Sequence, residues 1–127
     1  ALHALLPRLQ HPDWSVRVKA VQAVAIVAEG GGGDKEAVSM LSAMACDFEE
    51  EVRLAVTVAL PQAAPLKCKQ AVAVAALLVN RKSETNDVRV SAIEAIGALA
   101  TEDRSRSRTA ISVLLERFTH TDDMEVL

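Results

Sequence analysis

The chain has 127 residues, half of them apolar and 24% charged, with a formal net charge of −3. That length suits one domain, and the acidic balance excludes bulk attraction to nucleic acid or to an anionic membrane surface. Apolar runs such as Gln70–Asn80 are far short of the ~20 residues a membrane helix needs.

Residues 1–10 read as a first helix, bent at Pro7, whose ring removes a backbone donor. His11-Pro12-Asp13 makes a turn, and Asp13 or Ser15 caps a second helix over Trp14–Ala28. Gly30–Gly33 ends it. A phosphate-cradling loop would need Gly-Lys-Ser/Thr after a strand, so the glycines read as a flexible link. Lys35–Cys46 is the third helix, and the acids of Asp47–Glu51 suit the positive N-terminus of the fourth. The fourth helix reaches Pro61 and should kink or fray before Pro65. Lys67–Asn80, a turn at Arg81–Asp87, and Val88–Ala100 follow. Arg104–Phe118 is a further helix, Thr119–Asp123 its turn, and Met124–Leu127 begins another. Arg104-Ser-Arg-Ser-Arg108 would suit a basophilic kinase at Ser105 or Ser107, but reads better as a solvated helix start.

A repeat underlies this order. After Val88-Arg89, the apolar residues Ala92, Ala95, Ile96 and Leu99 fall 4, 7, 8 and 11 positions on, all on one stripe of a helix. Val16-Arg17 and Val52-Arg53 open the same string 36 and 72 residues earlier, and Val126 stands 38 residues later. Leu5, Leu41, Leu77 and Leu115 each lie 11 residues before their valine, which makes them expected core positions. Each repeat is thus a pair of helices, A before the polar turn and B after it. One such hairpin cannot bury its apolar face, so the pairs must stack. The 22 alanines permit close helix approach and disfavour a deep ligand cavity. Accordingly no cofactor, no metal and no small-molecule substrate is expected. Cys46 and Cys68 read as buried, reduced thiols rather than a disulfide framework or metal motif.

The string Asp13–Val24, D-x-x-V-R-x-x-A-x-x-A-V, resembles the second helix of a HEAT repeat, and Leu5-Leu6-Pro7-x-Leu9 resembles its first. The resemblance implies an all-α, right-handed α-α superhelix: a solenoid of stacked antiparallel helix pairs. About three and a half repeats make one domain over 1–127, at approximately 1–29, 34–64, 66–100 and a partial 103–127. The chain is then expected to be a fragment of a longer array. The family usually carries Asp five residues before the valine; here only Asp47 does, with His11, Ser83 and Thr121 elsewhere. A regular Asp–Arg ladder is therefore not expected. Arg17, Arg53 and Arg89, with Asp13, Asp47 and Asp87, are assigned to structural ties between repeats.

For function, no nucleophile–base pair, HExxH or CxxC is recognisable, and His3, His11 and His120 are scattered, so no enzyme is expected. Positions 2 and 9 after each valine point away from the stripe: Val18 and Ala25, Leu54 and Pro61, Val90 and Gly97. By resemblance to a family whose B helices line a concave groove, these form an apolar strip for a protein partner. Acidic residues gather on the A–B turns and basic ones between repeats, mainly as caps and solvated faces. The expected role is a non-catalytic protein–protein interaction or scaffold segment, intracellular and cytoplasmic, with no nucleic acid, no membrane and no bound small molecule. The alternatives are a phycobilisome-lyase-like protein handling a bilin or modifying a partner, and a structural subunit inside a large assembly.

Overall fold

A computed structural model describes residues 2–101. Among them every regular element is helical: a 3-10 turn at Leu2–Leu5, then α1 (Leu6–Leu9), α2 (Trp14–Gly30), α3 (Lys35–Met44), α4 (Glu50–Ala63), α5 (Lys69–Asn80) and α6 (Asn86–Ala100). They pair as three A–B hairpins, α1–α2, α3–α4 and α5–α6. The B helices α2, α4 and α6 pack side by side far more extensively than the A helices do. The expected fourth unit over 103–127, with Leu115, Val126 and Ser105/Ser107, lies outside the described residues.

Local sequence accounts for the boundaries. Asp13 accepts from the Ser15 amide at 2.9 Å, and Asp34 from those of Glu36 and Ala37 at 2.7 and 3.3 Å, capping α2 and α3. Thr85 caps α6 through the Val88 amide at 3.3 Å. Pro7 sits in the first turn of α1, where no amide donor is needed, so the first A segment is split into a 3-10 turn and a short helix rather than bent. Pro61 is carried inside α4, which continues to Ala63. Pro65 then stops it, since the residue before a proline is driven extended and Ala64 has ψ 134°. The glycine segment is tied down rather than free: Gly33 donates to Ala28 at 2.8 Å, and Asp34 to Ala63 at 2.9 Å.

The core confirms the 36-residue period on α4 and α6, whereas on α2 only Ala20 and Val24 of the expected stripe are buried, Val16 and Ala23 are half-buried and Val27 is 40% exposed. Val52, Val56, Ala59, Leu60 and Ala63 are buried on α4, and Val88, Ala92, Ala95, Ile96 and Leu99 on α6. On the A helices the period is different. Ala37, Val38, Met40, Leu41 and Met44 on α3 correspond to Ala71, Val72, Val74, Ala75 and Leu78 on α5, an offset of 34. Pro65 ends α4 early, so α5 starts two residues sooner than the B-helix period requires and runs two residues longer than α3. Two residues turn the helix by roughly 200°. Leu77, expected in the core, is therefore 51% exposed, and Leu78 is buried in its place. Leu41 holds its expected place, and Leu5 is only half-buried. Cys68 is buried, but Cys46 is exposed at the end of the α3 hairpin arm, against expectation.

Candidate partner-binding surface

Three arginines open the B helices, and two of them join repeats. Arg17 reaches Asp47 of the next repeat, Nε to Oδ2 at 2.9 Å and Nη2 to Oδ1 at 3.1 Å. Its Nη1 donates to the His11 and Pro12 carbonyls of its own turn, at 2.8 and 3.0 Å. Arg53 repeats the arrangement: Nη1 donates to the Asp47 and Phe48 carbonyls, and Nε to both oxygens of Glu84 at 3.1 and 3.0 Å. Arg89 donates through Nη2 to Arg81 and Lys82 at 2.9 and 3.0 Å. Its Nε, the atom that meets the next repeat's acid in the other two, is buried with no hydrogen-bond partner among the described residues. The corresponding position of a fourth repeat falls among residues not described.

A two-rung ladder therefore joins the described repeats: Arg17–Asp47, as the acid five residues before Val52 suggests, and a second rung from Arg53 that this position does not announce. Its second acid is Glu84, one residue later than Ser83. Its longer side chain brings both carboxylate oxygens within hydrogen-bond distance of Arg53 Nε. Asp13 and Asp87 are not ladder members. Asp13 is an exposed cap, and hydrogen bonds from Ser15 hold it below its ordinary value of 3.8. Asp87 lies exposed in the first turn of α6. The Asp47 hydrogen bond keeps the Arg17 guanidinium above its already high ordinary value, so it stays charged.

The outward face of the B layer has a clear pattern. Four positions per helix form a grid: Ser15, Lys19, Gln22 and Ile26 on α2; Glu51, Ala55, Val58 and Gln62 on α4; Asp87, Ser91, Glu94 and Ala98 on α6. Each residue is exposed except Ala55, Gln62 and Ser91, which are half-buried. Ile26 is 63% and Val58 65% exposed. Between α2 and α4 this face opens an apolar groove of about 280 Å³, lined by Val18, Gln22 and Ala25 on one side and by Glu51, Leu54 and Val58 on the other. Gln62 donates to the Glu29 carboxylate across one end of the two helices.

The strip expected to be water-facing is rotated from this position. Ala25 is buried, and Val18, Leu54, Pro61, Val90 and Gly97 are half-buried. Val18 and Leu54 pack against the core. The buried sector of α4 also includes Thr57 and Leu60, 5 and 8 residues after Val52. Its centre is displaced from the valine by about 50°, at roughly 100° per residue. Positions 2 and 9 then lie at the edge of the buried sector, and position 6 (Gln22, Val58, Glu94) faces outward. Val18, Ala25 and Leu54 line the groove wall, Pro61 borders a separate hollow beside Gly33 and Leu66, and Val90 and Gly97 lie half-buried on α6. The signal for the missed residues was present in the sequence: Gln22 and Glu94 are polar at equivalent positions.

A family model described as HEAT repeats matches residues 2–97. These stacked A–B hairpins define a helical-repeat protein of the interaction-module type. The chain belongs to the HEAT-repeat family, whose members generally mediate protein–protein interaction. No curated protein and no solved structure matches the chain significantly. Among the described residues no helix is long and apolar enough to cross a membrane.

Proposed function

We propose that this chain is a non-catalytic interaction module that receives a protein partner on the outward face of its B helices. The observation that carries the reading is the α2–α4 groove, with Val58 exposed on its wall and Ile26 exposed one helical turn beyond Gln22 of its lining. Large aliphatic side chains held more than half exposed along an apolar groove favour burial against another surface. Val18, Ala25 and Leu54 contribute its walls, so the expected strip enters as part of the site. Pro61, Val90 and Gly97 stand outside it.

The test compares capture of a partner by the wild-type chain and by an Ile26→Asp/Val58→Asp variant. Both positions are exposed, so the helical circular dichroism and unfolding midpoint should stay unchanged while the partner is lost. Leu54→Asp is a poorer probe because Leu54 packs on the core. Equal capture by the folded variant would rule the groove out.

A further inference from the structure

Charge on the B-layer grid is graded along the stack. On α2 the charged grid residue is Lys19; on α4 it is Glu51; on α6 they are Asp87 and Glu94. None of these three carboxylates forms an ion pair among the described residues. They differ in this from Asp47 and Glu84, whose oxygens are taken by Arg17 and Arg53. Helix dipoles account for acids in the first turns of α4 and α6, where Glu51 and Asp87 lie. They do not account for Glu94, which sits in the interior of α6 on the same face. The apolar groove thus lies between α2 and α4 with Glu51 on its wall, and carboxylates without an ion pair among the described residues continue from it onto α6.

Resting on the interaction reading above, we propose that the partner presents a basic amphipathic helix. Its aliphatic face enters the α2–α4 groove over Leu54 and Val58, and its lysines or arginines reach Glu51, Asp87 and Glu94. An acidic helix would bring like charges together on α6 and bury aliphatic side chains at the cost of that repulsion. The gradient also orients the ligand, with its more basic end toward α6.

The test uses three labelled designed helices of roughly five turns: leucines on one face with flanking lysines, the same with glutamates for lysines, and the lysine peptide with serines for leucines. Fluorescence anisotropy reads binding to the whole chain. The leucine–lysine helix should bind, weaken as salt rises from about 0.05 to about 0.5 M, and weaken about tenfold on the Glu51→Gln/Asp87→Asn/Glu94→Gln variant. Glu94→Gln alone, which leaves both first turns intact, should weaken it about twofold. The other two peptides should bind poorly. Equal binding of the lysine and glutamate helices, or no change on the charge variants, overturns the proposal. If the glutamate helix binds and Ile26→Asp/Val58→Asp abolishes that binding, the groove reading survives and the charge inference alone fails. If that variant leaves binding of the lysine helix unchanged, both fail.

Discussion

Arg53 Nε stands 3.0 and 3.1 Å from the two carboxylate oxygens of Glu84, a side chain with no exposed surface in the following repeat. Glu84 also accepts from the Thr85 amide at 3.0 Å and lies 3.7 Å from Arg81 Nη1. A carboxylate so enclosed is stable only while its donors remain, so the pair locks α4 to the α5–α6 turn.

Removing one partner of this pair leaves the other charge desolvated. Glu84→Ala should destabilise the chain by about 3 kcal/mol. In a urea-unfolding double-mutant cycle, Arg53→Ala and Glu84→Ala should be strongly non-additive. Simple additivity would show that the contact carries no coupling.

The shifted register of α5 makes neighbouring leucines unequal. Leu78 is fully buried and Leu77 half exposed. Leu78→Ala should cost about 2–5 kcal/mol and Leu77→Ala less than about 1 kcal/mol. Unfolding midpoints of the two variants would decide it, and a larger loss at Leu77 would restore the 36-residue spacing for A helices.

Two glycines should respond to alanine with opposite sign. Gly97 lies inside α6 with nothing within 4 Å of an added Cβ, so Gly97→Ala should stabilise by about 0.5–1 kcal/mol. Gly33 has φ +102°, and its Cβ would fall 2.5 Å from Pro65 Cα and N. Gly33→Ala should therefore lower the thermal midpoint, by displacing the backbone that joins repeats.

The Asp13 cap has a pH signature. Its folded pKa is held below 3.8 by the Ser15 hydrogen bonds. A carboxylate depressed in this way contributes stability above its unfolded pKa and loses it as pH falls through the lower folded value. The stability difference between wild type and Asp13→Ala should be constant near neutrality and shrink steadily below about pH 4. A difference that grows toward acid would contradict the cap.

Helix identity, the hairpin repeat and the cores of α4 and α6 were legible in the sequence, because a 3.6-residue stripe read from Val52 and Val88 depends on one helix at a time. Caps such as Asp13 were legible for the same reason, since their partners lie two residues away. What depended on two elements together was decided by packing. Glu84 replaces the expected acid because its carboxylate meets Arg53 of the preceding repeat, which no single helix reveals. Leu77 turns outward because the buried face of α5 repeats that of α3 at an offset of 34. The outward face of the B layer was set by which sides of α2, α4 and α6 the neighbouring repeats cover. That rotated the exposed face from Val90 and Gly97 to Glu94, and from Leu54 to Val58. Periodicity determines which residues share a stripe; the neighbours that bury it determine where the stripe ends.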